Sequence, residues 1–217
     1  MKSFAVIGVG TFGYFLCRSF ASAGHEVMAI DTDEPSVERV RDIAAKAVIA
    51  DASDRKALEA LGLSEFEAVV VSLGEHIDAS VLTTLYLKEL GVKQIVVKAI
   101  SADHGKVLER VGADEVVFPE RDMAERVAYR MGNADVLEFI PLEGDYSLME
   151  WAPDKEMVGK TLGELHLRRD YNVTVILVRQ LVPEGVEVAP GGDFMVKDSD
   201  ILVVLGQDED LKKIRGL

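Results

Sequence analysis

The sequence predicts an α/β protein, a doubly wound parallel sheet followed by a second, smaller α+β domain. Three observations predict it. Apolar runs of strand length alternate with helical patterns from the N-terminus to about residue 118. A turn, Gly8-Val9-Gly10-Thr11-Phe12-Gly13, stands between the first such run and the first helical stretch. From Pro119 onward the alternation stops, strand-like runs follow one another without a helix between each pair, and five of the six prolines occur there. Strands of near-continuous Val and Ile separated by helices belong to a parallel sheet covered on both faces. Right-handed crossovers then wind it doubly, in the Rossmann-like manner.

Residues 3–8 read as the first buried strand, and 11–23 as a helix with Phe12, Phe15, Leu16 and Phe20 inward. Residues 26–31 form the second strand, 34–46 a helix, 47–50 a short third strand and 55–61 a short helix. EAVVVSL at 67–73 is the plainest buried strand. A helix over 79–90, a strand over 94–99, a helix over 104–111, a strand over 115–118 and a helix over 123–131 complete the series. Beyond it, 136–142, 146–151, 173–181 and 201–205 read as strands. One short helix, 162–168, opens after Thr161, with Glu164 at capping-box spacing. The expected division is a nucleotide-fold domain over 1–133 and a small α+β domain over 134–217.

Composition narrows the function. A hydrophobic share of 48% and a charged share of 29% over 217 residues support a packed core. No apolar run approaches the roughly 18 residues of a membrane span, and the first ten residues, MKSFAVIGVG, do not resemble a signal peptide. The single cysteine, Cys17, suits a reducing compartment and a small core position. Acidic residues number 38 against 24 basic, a net charge of −14, which disfavours nucleic acid as a partner. The expectation is an acidic, soluble, cytoplasmic chain.

The glycine turn carries the chemistry. Gly8 permits a tight turn, Gly10 lets backbone approach a diphosphate, and Gly13 lets helix pack close to strand. The helix N-terminus, opening with Thr11 and Phe12, offers unpaired N–H groups and partial positive charge to an anion. Asp31 ends the second strand, where a carboxylate accepts from ribose hydroxyls and repels a 2′-phosphate, disfavouring NADP. Asp51 and Ala52 follow the third strand, and Ser72, Leu73 and Gly74 end the fourth, at the carboxyl edge where such sheets bind ligands. Lys98 interrupts the apolar run IVVKAI, so it needs a charged partner, either a phosphate or a structural carboxylate. The turn and Asp31 suit NAD as well as ATP. An NAD-dependent oxidoreductase is one alternative, but there is no Gly-x-Ser-x-Gly elbow, no Tyr-x-x-x-Lys pair and no zinc-ligand spacing among His25, His76, His104 and His166. His25 and His104 are expected to be solvated, while His76 lies close to the 72–74 segment. A free-standing nucleotide-binding protein is the second alternative.

The segments FAVIGVGTFG, HEVMAIDTD, AVIADASD, AVVVSLGEHIDASVLTTLYLKELGV, VVKAIS, HGKVLERVGADEVVFPERDMAERVA and KDSDILVVLG, in this order, resemble the KtrA/TrkA-type regulatory subunits of bacterial and archaeal potassium uptake systems, the KtrA type above all. The resemblance covers the whole chain, an RCK (KTN) nucleotide-binding domain followed by a TrkA-C domain. It implies a regulator rather than an enzyme, peripheral at the inner face of the cell membrane. Its homodimers would assemble into an octameric ring on a KtrB/TrkH-type potassium transporter. ATP and ADP would compete for the cleft, with NAD or NADH less favoured. By the same resemblance, Gly8, Gly10, Thr11, Phe12 and Gly13 hold phosphates, and Asp31, Thr32 and Asp33 lie at the ribose. Asp51, Ala52, Ser72, Leu73 and Gly74 frame the adenosine, and Lys98 faces phosphate. Glu120 approaches the terminal phosphate with Mg2+ or Ca2+. Thr11 departs from the family, which often carries Arg there. In some relatives cyclic di-AMP binds the second domain, which implies Leu165, Leu167, Arg168, Asn172 and Pro190 here. Read from the residues alone, that stretch fits equally a capped amphipathic helix ending in a charged turn. Trp151, the only tryptophan, is expected to anchor the second domain or its dimer contact.

Overall fold

In the computed structural model, which describes residues 1–133, 135–142 and 144–214, six strands pair in parallel. They are β1 (Ser3–Ile7), β2 (Glu26–Asp31), β3 (Lys46–Ile49), β4 (Ala68–Val71), β5 (Ile95–Lys98) and β6 (Glu115–Val117), in the order β3–β2–β1–β4–β5–β6. The connecting helices are α1 (Thr11–Ser22), α2 (Glu34–Arg39), α3 (Arg55–Leu61), α4 (Ile77–Glu89) and α5 (Ala102–Val111). Every residue of β4 is buried, as a strand covered on both faces requires. The strand order reverses direction between β1 and β4, the switch point at which open α/β sheets bind ligands.

The turn after β1 is held by close packing. Gly8 has φ +88°, a left-handed conformation, and an added Cβ there would lie 2.1 Å from the Ser72 carbonyl oxygen. A Cβ on Gly13 would lie 2.0 Å from the Gly8 carbonyl oxygen, so α1 rests directly on the turn. Gly10 is different, because its Cβ would meet nothing within 4 Å.

Four local expectations need correction. Phe15 is 53% exposed, while the inward stripe of α1 is built on Gly13 and Cys17, with Leu16 and Phe20 packed beside them. Phe15 lies two residues from both Gly13 and Cys17, a spacing that points away from their face. The helix expected over 34–46 ends at Arg39, because Lys46 pairs with Met28 and extends β3. Sheet pairing there overrides helix propensity. His104, expected in solvent, is 4% exposed on the inner side of α5 beside Leu108, and burial lowers its pKa. His25 is half-buried against the edge of Phe4, with ring centroids 5.3 Å apart.

The chain divides into two compact units, Met1–Pro119 and Glu120–Leu217. This division differs from the expected one by helix α6 (Pro119–Met131); residue 134, where the sequence reading begins the second domain, lies outside the described residues. Contacts explain the grouping. Arg126 pairs with Glu138 at 2.9 Å and Tyr129 stacks on Phe139 at 4.0 Å between centroids. The Arg126 guanidinium, donating to Glu138, holds that carboxyl below its ordinary range.

The second unit is an antiparallel sheet of β7 (Val136–Pro141), β8 (Tyr146–Trp151), β9 (Thr174–Leu181), β10 (Glu184–Val188) and β11 (Asp200–Gln207), ordered β10–β9–β11–β8–β7. Trp151, 2% exposed, lies in its core with Met149, Leu202 and Val204. The capping box of Thr161 and Glu164 forms as expected. The helix it opens is broken at His166 (φ +48°) into α7 (Leu162–Leu165) and α8 (Leu167–Tyr171). Strand β10 and helix α9 (Asp208–Lys213) were not expected from the sequence. No helix among the described residues is long and apolar enough to cross a membrane.

Two outcomes follow from this packing. Gly13→Ala should destabilise the protein by about 1–3 kcal/mol or more, since backbone must move to admit the methyl group; urea unfolding measures it. Burial pushes the Cys17 thiol from 9.0 up to about 11. The folded protein should therefore resist an aromatic disulfide reagent at mildly alkaline pH and react once unfolded. Because the folded value is the higher one, the stability linked to this thiol is complete below its ordinary range. It is lost as pH climbs toward 11.

Candidate functional site

The first unit carries a cleft of about 250 Å³ at the carboxyl ends of its central strands. Asp31, Thr32, Asp51, Ala52 and Leu73 line it, with Ile7 and Ile30 at the apolar base. These residues come from four strand ends that the parallel pairing brings level. Ser53, Ala79 and Ala50 also line the cleft without a signal in the sequence, and so does His76, whose nearness to the 72–74 segment makes it a candidate ligand contact.

Asp31 does more than end β2. Its Oδ2 accepts the Val9 N–H at 2.6 Å and its Oδ1 accepts the Asp33 N–H at 2.9 Å. The carboxylate thus ties the second strand to the glycine turn, and each oxygen keeps a further lone pair. Asp33 caps α2, accepting the Ser36 N–H at 3.0 Å. Asp51 accepts from both the hydroxyl (2.7 Å) and the N–H (2.9 Å) of Ser53, and these bonds lower its pKa. Ala52 is held from behind, where the buried Thr83 hydroxyl donates to its carbonyl at 2.9 Å. Ser72 is buried behind the turn, its N–H donating to the Ile7 carbonyl at 2.7 Å, and Gly74 turns the chain at φ +62°.

The turn itself presents backbone donors. Gly10 is the N-cap of α1 and no side chain caps that end. Thr11, Phe12 and Gly13 therefore open the helix with N–H groups lacking intrahelical partners. Lys98, at the end of β5, brings its ammonium to 6.0 Å from the Phe12 ring centroid, beside this first helical turn. One contact was not foreseen. Arg39, at the end of α2, donates from Nη2 to the Val9 carbonyl at 2.7 Å. An arginine on an exposed helix carries no local signal of a bond thirty residues away.

Glu120 is exposed in the first turn of α6 and belongs to the second unit. Among the described residues no group of three or more His, Cys, Asp or Glu side chains could hold a metal ion. A Mg2+ or Ca2+ ion at Glu120 would therefore need ligands beyond a cluster of the described side chains.

The second unit has a cavity of about 380 Å³ beside α7 and α8. Of the five residues implied for cyclic di-AMP, Leu167, Arg168 and Pro190 line it, together with His166 and Arg169. Leu165 lines a neighbouring cavity of about 180 Å³ instead. Asn172 ends α8 in a left-handed conformation (φ +56°), and the Asp210 carboxyl of α9 is held below its ordinary range by the Lys213 ammonium that donates to it at 2.6 Å. Leu167 is only 4% exposed and packs in the sheet core, which limits what it can offer a ligand.

Comparison with known proteins places these features in a family. Residues 4–119 match the TrkA-N domain model and residues 149–217 the TrkA-C domain model. Ktr system potassium uptake protein C of Bacillus subtilis is 42% identical over 212 residues, covering 98% of this chain and 95% of that one. Ktr system potassium uptake protein A is 37% identical in B. subtilis (99% and 96% covered) and 35% in Vibrio alginolyticus (100% and 98%). Among solved structures, the GsuK RCK domain superposes over 100% of this chain with a TM-score of 0.69 at 18% identity, and this chain spans 48% of that one. A GsuK channel bound to NAD superposes over 98% with a TM-score of 0.67 at 17% identity, with 38% of its chain spanned. With a parallel nucleotide-fold sheet followed by an antiparallel unit, and relatives matched along nearly their whole length, the chain belongs to the TrkA-N/TrkA-C family of potassium uptake proteins.

Proposed function

We propose that this chain is the regulatory subunit of a Ktr-type potassium uptake system and that the cleft of its first unit senses an adenine nucleotide. The observation that carries the reading is a chain matched end to end by Ktr proteins that keeps an uncapped glycine turn, a ribose-type carboxylate and an open cleft at one sheet edge. The backbone of residues 10–13 would hold phosphates, with Gly10 giving them room to approach. Asp31 and Thr32 would meet the ribose, Asp51, Ala52 and Leu73 the adenosine, and Lys98 a phosphate charge. The nucleotide is a message in this reading and is not consumed.

ATP and ADP would favour different arrangements of a dimer-built octameric ring, which acts on a KtrB/TrkH-type membrane subunit. A ligand moves such an equilibrium only through its different affinity for the two arrangements. Thr11 offers a hydroxyl and no charge, so discrimination at the terminal phosphate falls to Lys98 and to Glu120. A divalent ion at Glu120 would need phosphate oxygens to complete its ligands. The cavity beside α7 and α8 supports a second input, cyclic di-AMP, through Arg168, whose planar guanidinium suits phosphate.

Calorimetric titration with ATP, ADP, NADH and cyclic di-AMP tests the reading. Wild type should bind ATP and ADP without turnover. Gly10→Ala should keep the thermal midpoint and lose about tenfold in affinity, equivalent to roughly 1.4 kcal/mol, because its methyl group occupies space meant for phosphate. Asp31→Ala should lose at least as much, and Arg168→Ala only the cyclic di-AMP response. No uptake of ATP or ADP at millimolar levels would falsify the nucleotide reading, and steady oxidation of NADH would revive the oxidoreductase. Co-purification with a membrane potassium transporter separates the proposal from a free-standing nucleotide binder.

A further inference from the structure

Val9 sits in the middle of the glycine turn, and both of its backbone polar groups are held by side chains from outside the turn. Asp31 Oδ2 accepts its N–H at 2.6 Å, and Arg39 Nη2 donates to its carbonyl at 2.7 Å. The Arg39 guanidinium also lies over the Tyr14 ring, 4.9 Å from the centroid. One side chain on α2 therefore touches both the turn and α1. A trans peptide keeps its C=O and N–H in one plane and opposed. A Val9 carbonyl turned toward Arg39 thus directs the Gly10 N–H to the side away from Arg39. A Cβ on Gly10 would meet nothing within 4 Å, and no side chain caps the helix it begins, although its own carbonyl accepts the Tyr14 N–H at 2.9 Å. The Val9 N–H and the Gly10 carbonyl are held on either side, so among the described residues Arg39 is the side chain that fixes the peptide between them.

We propose that Arg39 is a positioning residue for the phosphate turn: it fixes the Val9–Gly10 peptide so that the turn meets a phosphate already ordered. Ligand binding then does not bear the entropy of ordering that segment. The inference rests on the reading that the turn receives phosphate, but the clamp itself can be tested without any ligand.

Arg39 is exposed, so Arg39→Met and Arg39→Lys leave the core untouched. In ligand-free protein, amide hydrogen exchange across residues 8–13 should rise in Arg39→Met and return toward wild type in Arg39→Lys, with the thermal midpoint held. In titrations ADP should bind Arg39→Met about tenfold more weakly, the order expected for one lost charge-assisted hydrogen bond. Adenosine, followed by NMR, should bind all three proteins alike. Unchanged exchange in Arg39→Met overturns the inference whether or not a nucleotide binds. An equal loss of ADP and adenosine affinity also overturns it, since that is the pattern of general damage. Raised exchange in Arg39→Met with no ADP binding to wild type counts instead against the nucleotide reading and leaves the clamp standing.

Discussion

Gly13 and the Gly8 carbonyl approach so closely that no side-chain carbon fits between them. The rest of the site depends on that contact. It brings the start of α1 down onto the end of β1, which puts uncapped N–H groups level with the carboxyl ends of β2, β3 and β4. Gly8 in turn leaves no room for a side chain against the Ser72 carbonyl at the end of β4, and its N–H donates to the Ile30 carbonyl of β2 at 2.8 Å. The turn is therefore wedged between two neighbouring strands and one helix, and the cleft is a consequence of backbone packing before any side chain enters it.

The two units meet different constraints. The parallel sheet is covered on both faces, so its central strands are apolar throughout, and polar residues collect at the strand ends where the ligand edge lies. Among its buried polar groups, the Thr84 hydroxyl donates to the Ser80 carbonyl at 2.7 Å and the Thr83 hydroxyl to the Ala52 carbonyl at 2.9 Å. The antiparallel sheet has an alternating pattern, clearest in β8, where Ser147, Met149 and Trp151 are buried between more exposed neighbours. A strand that is half solvated on one face leaves room for cavities beside its helices, and the α7–α8 cavity is built there.

Much of this was legible in the sequence because it is local. The glycine turn, the 67–73 strand, the helix over Arg55–Leu61 and the Thr161 capping box are each written in adjacent residues, and each forms. What was not legible depends on distance or on short length. The Arg39 and Thr83 bonds span 30 and 31 residues, and nothing near either residue announces its partner. Strand β10, EGVEV, is exposed at four of its five positions and shows no buried face to read. Helix α9 opens with three acids and closes with two lysines, as the helix dipole favours, but six residues are too few for a hydrophobic period. The break at His166 comes from a left-handed histidine, a conformation the sequence reading does not expect of a residue that is not glycine.

Affinity and switching draw on different residues of this site. Moving a two-state assembly from 1:99 to 99:1 takes about 5.5 kcal/mol of differential binding. In a concerted ring of eight subunits, as proposed here, that is about 0.7 kcal/mol per site. One charge-assisted hydrogen bond is worth about 1.5–3 kcal/mol, so a Thr at position 11 leaves enough for a working switch if any one charged contact differs between ATP and ADP. In the proposed reading Val9, Asp31 and the adenosine cleft would serve parts that ATP and ADP share, and would raise both affinities together without shifting the ring. Only groups that sense the last phosphate would bias the ring in that reading, and the rest of the cleft would set how much nucleotide is needed.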